Sequence, residues 1–179
     1  SFSHGTAQDF ILQLNQLHTK HPKALILDLR DNTGGLLDET ISIAQRLLPS
    51  QSILFYTKGR DNSLREQKIG DANPLTIPLY VVVNRNSASA SEVLAGAIQD
   101  LQVGKLVGEK TFGKASIQKM FPNLMTGEGI KLTVQTYLTP NKHDIMEKGI
   151  TPDFLYDNLE WKEPFGQDPV IQFILEKVQ

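Results

Sequence analysis

The sequence predicts an α/β fold, and three observations carry that expectation. Two short apolar runs, Ala24-Leu25-Ile26-Leu27-Asp28-Leu29 and Leu79-Tyr80-Val81-Val82-Val83, have the length and bulk of buried strands. Each is followed by a turn and then by apolar residues at helical spacing. Ile130 to Tyr137 alternates apolar and polar residues, the mark of a strand with one solvated face. Strands alternating with helices are the pattern of layered α/β architecture.

Taken in order, Thr6 to about Lys20 reads as an amphipathic helix, with Phe10, Leu14 and Leu17 on its apolar stripe. Thr6 is the expected amino-terminal cap, with Asp9 three residues on, and Pro22 marks the end. Ala24 to Leu29 is the first strand, and Asp31-Asn32-Thr33-Gly34-Gly35 a turn. A second helix runs from about Asp38 to Leu48, with Ile41, Ala44 and Leu48 on one face. Ile53 to Tyr56 is a strand, and Lys58 to Asn73 a polar connection with hairpin character. Leu79 to Val83 leads into the turn Asn86-Ser87-Ala88-Ser89-Ala90-Ser91-Glu92; Val93, Ala97, Ile98 and Leu101 then recur at helical spacing. Leu106-Val107 is a short strand before the glycine-bearing loop Gly108 to Lys114, and Asp168 to Val178 offers a final helix. No repeat, low-complexity segment or linker interrupts the chain, which reads as one domain over residues 1–179.

Composition narrows the function classes. A chain of 179 residues with 40% hydrophobic and 21% charged residues can bury a real core and is not disordered as a whole. A formal charge of -2 gives no electrostatic case for nucleic acid or an anionic membrane. The lack of cysteine removes disulfides, thiolate metal sites and cysteine nucleophiles. No apolar run approaches the ~20 residues that span a bilayer. The start lacks an initiator methionine and the parts of a signal peptide, so the chain reads as an excised or processed piece whose address label lay upstream.

Ser89 is the candidate nucleophile. A hydroxyl at a strand-to-helix junction is held out of the core, near the helix's first free amides. A serine hydroxyl needs a base. Lys114, in Phe112-Gly113-Lys114-Ala115-Ser116-Ile117-Gln118, is the candidate, provided that burial favours its neutral form. That requirement places Lys114 largely out of water, flanked by Phe112 and Ile117. The same serine run also serves as a plain helix cap through Ser87 or Ser91. Gly34-Gly35 suit either a tight turn or an oxyanion donor. No metal site is expected: His18 and His21 are three apart, no glutamate follows His18, and Pro22 ends the helix. Gly108 to Lys114 matches the G-x-x-x-x-G-K phosphate loop, but Ala115 stands where Ser or Thr would hold magnesium, and no helical pattern follows.

In order and spacing, these motifs resemble the carboxy-terminal processing, or tail-specific, proteases of peptidase family S41. The resemblance rests on Ser1-Phe2-Ser3 with Thr6, Leu27 to Gly35, Ser87 to Glu92, Gly108-Glu109, Thr111 to Lys114, Gln118, and Gly149-Ile150-Thr151-Pro152-Asp153. It implies a crotonase/ClpP-like spiral core. It implies Ser89 as nucleophile and Lys114, 25 residues later, as general base. Gln118 matches the position that orients the lysine, and Ala90 with Gly34 or Gly35 the oxyanion amides, Gly35 being the favoured glycine. Asp100 falls where some members carry an accessory acid. The implied reaction is peptide-bond hydrolysis near the C-termini of protein substrates with apolar tails, without metal or organic cofactor, in the cell envelope, periplasm or another extracytoplasmic compartment. Three features depart from the pattern: Ala115 replaces the usual glycine, and the family's PDZ domain and the strand before Ser1 are expected to be missing from this chain. A catalytically silent peptide-binding core is the alternative, and a nucleotide binder a remoter one.

Overall fold

The computed structural model describes residues 1–122, 127–157, 159 and 161–178. The apolar runs form a parallel sheet of β1 (Leu25–Asp28), β4 (Leu79–Val83), β5 (Lys105–Gly108) and β8 (Phe154–Leu155), in the order β1-β4-β5-β8. β4 is buried on both faces. Val81 and Val83 join the main core, while Val82 packs with Val107, Val170, Ile171 and Ile174 on the other side. This double burial explains why the run is continuous rather than alternating, and each fully buried valine is worth about 1.5–3 kcal/mol.

An antiparallel sheet in the order β3-β2-β7-β6 is built from β2 (Ile53–Lys58), β3 (Leu64–Lys68), β6 (Ser116–Pro122) and β7 (Gly129–Leu138). The hairpin character expected after Lys58 resolves into the β2–β3 pair. The sequence reading left Ser116 to Pro122 without an element, and it is the edge strand β6. β7 departs from the expected single solvated face: residues 129–133 are exposed, and only Tyr137 and Leu138 are buried within the strand. The far half of the β6–β7 hairpin therefore projects beyond the core.

Among the described residues four α-helices complete the fold: α1 (Thr6–His18), α2 (Leu37–Ala44), α3 (Ala90–Asp100) and α4 (Pro169–Lys177). Thr6 is not the cap of α1. Gly5 holds that position, and Glu39 of α2 accepts from Gly5 N at 3.1 Å and from Ala7 N at 2.7 Å. A long-range carboxylate thus replaces the expected local hydroxyl, satisfying amides that a helix start leaves free. α2 ends at Ala44, short of the expected Leu48, although Leu48 remains fully buried. All residues of α3 from Ala90 to Ile98 are buried, so this helix is central rather than amphipathic. Parallel β1 and β4 end side by side, and their carboxyl ends run into the turns at Asp31–Gly35 and Asn84–Ser89, where open α/β sheets place ligands.

Candidate active site

The three serines of the turn have different fates. Ser87 is buried; its hydroxyl donates to Leu29 O at 2.7 Å and accepts from Asn84 N at 3.0 Å. Ser91 is also buried and donates to Asn32 O at 2.8 Å. Ala88 N donates to that same carbonyl at 3.1 Å. Neither outer serine caps α3. Both stitch the turn onto the stretch Leu29 to Asn32 that leaves β1, and Ser89 is the serine of the turn that borders the open cleft. Ser89 has φ 57° and ψ -118°, a conformation that costs a non-glycine residue about 1–3 kcal/mol and persists only where its surroundings impose it.

Glu92 imposes it. This side chain is fully buried, and its two carboxylate oxygens accept four hydrogen bonds. Oε2 takes Ser89 N at 2.9 Å and Lys114 N at 2.8 Å; Oε1 takes Thr111 Oγ1 at 2.6 Å and Gly113 N at 2.7 Å. One carboxylate therefore holds the serine turn and the lysine loop in register. Sequence reasoning passed over it because a glutamate at the third position of a helix is an ordinary capping-box residue. The signal that finds it is a charged residue among the small and apolar side chains of the first turns of α3, where solvation must be replaced by bonds.

Tyr137 of β7 adds a second clasp. Its hydroxyl donates to Ser89 O at 3.1 Å and Lys114 O at 3.3 Å. Burial, and then the nearby Glu92 charge, raise its phenol well above the ordinary tyrosine range, so it stays a donor. Phe112 N donates to Ser87 O at 3.0 Å, a third tie between the two loops.

The cleft measures ≈ 250 Å³ and is bordered by Ser89, Ala90, Gly35 and Gln118, with Leu37, Phe55, Val93 and Ile117 among its apolar walls. The two candidate glycines separate here. Gly34 N donates to Asn32 Oδ1 at 3.0 Å, so its amide is taken. Gly35 N meets no acceptor among the described residues, and Ala90 N is the first amide of α3, which has no intrahelical acceptor. Gly34 matters for space instead. Its φ is 96°, and a Cβ there would stand 2.7 Å from Ala88 O and 2.8 Å from Ala90 N.

Lys114 is brought beside Ser89 through its backbone. Its side chain is half-buried, its ammonium makes no hydrogen bond among the described residues, and it does not border the cleft. Phe112, expected to shelter it, is 62% exposed. Gln118 reaches the cleft just past a bulge between Ile117 and Gln118, a device that re-aims side chains, but it donates no bond to Lys114. Asp100 lies at the opposite end of α3, about 15 Å along the axis from Ser89. There Oδ2 accepts from Asn141 N at 2.8 Å and Oδ1 lies 3.5 Å from His143 Nδ1. It braces that loop instead of facing the cleft.

The loop from Gly108 to Lys114 leads into strand β6, not a helix, and its Gly113 and Lys114 amides are committed to Glu92. The amides that a phosphate would need already face a carboxylate. Among the described residues no group of three or more His, Cys, Asp or Glu side chains could hold a metal ion, and no helix is long and apolar enough to cross a membrane.

The model of peptidase family S41 matches residues 1–156. The chain belongs to peptidase family S41. Similar S41 relatives include the carboxyl-terminal-processing protease of Picosynechococcus sp., 47% identical over 166 residues, which are 92% of this chain and 38% of that protein. The carboxyl-terminal-processing protease of Synechocystis sp. is 45% identical over 152 residues, 85% of this chain and 35% of that protein. The chain thus spans little more than a third of either relative. The solved photosystem II D1 C-terminal processing protease superposes with a TM-score of 0.79 at 35% identity, covering 89% of this chain and 42% of that chain. The mixed α/β fold is that of S41 proteases. The family match ends before Asp168, which nonetheless serves the fold. Asp168 caps α4 through Val170 N at 3.1 Å and accepts from Arg30 Nη2 at 2.8 Å, while Arg30 also pairs with Asp28 at 2.6 Å.

Proposed function

We propose that this S41 chain is the protease core of a serine endopeptidase that cleaves protein substrates near their C-termini through a Ser89–Lys114 dyad. The observation that carries the reading is the clasp by Glu92 of Ser89 N and Lys114 N on one carboxylate oxygen, beside a cleft bordered by the open amides of Gly35 and Ala90. Neutral Lys114 takes the Ser89 proton as Oγ attacks the scissile carbonyl carbon. The Gly35 and Ala90 amides receive the oxyanion; losing one such donor costs about 2.7–4 kcal/mol of barrier. Collapse breaks the C–N bond, and Lys114 hands its proton to the departing amine. Water, deprotonated in turn by Lys114, releases the acyl group and regenerates Ser89. Gln118, at the cleft beyond the bulge, steers the lysine once substrate is bound.

In this reading Lys114, held beside Ser89 by the shared Glu92 oxygen, turns its amine to the Ser89 hydroxyl when a peptide occupies the cleft. The three consecutive β6 residues at the cleft, Ser116, Ile117 and Gln118, support an extended substrate paired to the edge of that strand. Substrates carry apolar tails, and the protein works outside the cytoplasm, in keeping with its bacterial and chloroplastic relatives.

The test is peptide cleavage with electrospray detection of the acyl-enzyme. Ser89→Ala and Lys114→Ala should each lose turnover while keeping the wild-type circular dichroism; cleavage retained by either variant refutes the dyad. The second reading, a silent peptide-binding core, draws on the unbonded Lys114 ammonium. It predicts tail-peptide binding with no acyl-enzyme in this chain or in the full-length protein.

A further inference from the structure

We infer that Arg30 and the residues that grip it from the carboxy-terminal segment, Trp161 and Asp168, are positioning residues. They fix the turn from which the loop of Gly35 sets out, and so hold its oxyanion amide against Ser89. The inference rests on the endopeptidase reading above. It gives a part in that reaction to a stretch beyond the family match, which ends at residue 156. An arginine directly after an apolar strand must be solvated or paired. The side chain of Arg30 is only 3% exposed, and it is paired. Nε and Nη2 donate to the Asp28 carboxylate at 3.0 and 2.6 Å. Nη2 also donates to Asp168 Oδ2 at 2.8 Å, and Nη1 to Leu159 O at 3.3 Å. The guanidinium carbon stands 5.0 Å from the centroid of the Trp161 ring, within cation–π range. A planar fork bonded in this way is held in one orientation.

What the grip holds is a turn. Asn32 N donates to Leu29 O at 3.2 Å, which makes Arg30 and Asp31 its two central residues. Asp31 has φ 58°, a left-handed conformation that its surroundings must impose. Asn84 and Asn86 donate to the Asp31 carboxylate at 3.0 and 2.7 Å, while the buried guanidinium anchors Arg30. The turn closes at Asn32, whose carbonyl accepts from Ala88 N and Ser91 Oγ and whose side chain takes Gly34 N. Phe2 secures the far end of the loop, donating to Gly34 O and accepting from Leu36 N. Arg30 secures the near end, and ties it to a body outside the site. That body is α4, packed on the parallel sheet through Val170, Ile171 and Ile174. Asp168 is divided between the two tasks: Oδ1 caps α4 through Val170 N, and Oδ2 receives Arg30. An exchange of that second oxygen therefore loosens Arg30 and keeps the cap.

The test compares Asp168→Asn with a control of equal Tm that leaves Arg30 alone. Ile174→Val or Ile174→Ala, whichever matches, serves as that control, because Ile174 packs on Val82 and Val107 instead. Trp161→Leu, at a half-exposed position where the fold should stand, is the second variant. The first measurement is amide hydrogen exchange well below every Tm. Asp31, Asn32 and Gly34 donate bonds within the loop, so their exchange should quicken in Asp168→Asn and Trp161→Leu and stay at the wild-type rate in the control. The second is peptide turnover. A misplacement of 1 Å costs about 10²-fold, so a smaller shift of Gly35 should lower kcat by about tenfold in Asp168→Asn. KM should not change, since the oxyanion exists only in the transition state. Unchanged exchange in both variants overturns the inference. So does an equal fall of kcat in the control, or faster exchange with wild-type kcat. If the wild type itself turns over no peptide, the endopeptidase reading falls, while exchange still decides whether the tail holds the loop.

Discussion

Replacing Glu92 by glutamine tests the organising carboxylate directly. The change keeps volume and shape but converts one acceptor oxygen into a donor NH2. Glu92 receives four donors, two at each oxygen. Glutamine can keep only one of those pairs. If its carbonyl faces Ser89 N and Lys114 N, its NH2 opposes Gly113 N, while the Thr111 hydroxyl can rotate away and still accept from Ile150 N at 2.7 Å. If it flips, both Ser89 N and Lys114 N lose their acceptor. The less costly orientation strands at least one buried amide, worth about 1–3 kcal/mol, and weakens the remaining charge-assisted bonds, so about 2–5 kcal/mol is expected in all. For a chain of this length that is a fall in Tm of about 5–15 °C by calorimetry. Peptide turnover should fall by far more than stability at 25 °C explains, because Ser89 and Lys114 lose their common anchor. A Glu92→Gln protein with wild-type Tm and turnover would refute the carboxylate as the joint between the two loops.

Gly34→Ala introduces a Cβ 2.7 Å from Ala88 O at a φ of 96°, so it should cost about 1–3 kcal/mol by denaturant titration and lower turnover through displacement of the Ala90 amide. Tyr137 sets an alkaline limit. Its phenol keeps its proton in the fold where the unfolded chain's ionises near pH 10, so the native state binds more protons and stability falls as pH rises above about 10, by up to ~1.4 kcal/mol per pH unit. Tyr137→Phe should remove that slope while lowering stability at pH 7 by about 1 kcal/mol, as read from urea curves at each pH. Asp168→Asn preserves a cap for α4 but takes one of two carboxylates from buried Arg30, and should cost about 2–3 kcal/mol in calorimetry. An unchanged Tm would mean that Asp28 alone satisfies the guanidinium.

Local chemistry made much of this protein legible in its sequence. Buried runs such as Leu79 to Val83 reveal themselves because residues facing a core on both sides must all be apolar, and α3 follows from helical spacing. The order of the Asp31–Gly35, Ser87–Glu92 and Thr111–Lys114 motifs pointed to the S41 family and nominated the site. Tertiary structure decided the rest, because the deciding contacts join residues far apart in the chain. It separated Gly35 from Gly34 through the side chain of Asn32, and Ser89 from Ser87 and Ser91 through carbonyls of the β1 turn. It moved Asp100 to the far end of α3, since eleven helical residues carry a side chain about 15 Å from the first turn. β6 escaped notice because an edge strand beside a bulge needs no apolar alternation of its own. Glu92 escaped for a related reason: a buried charge is stable only when donors from distant loops surround it, and those donors are neighbours in space alone.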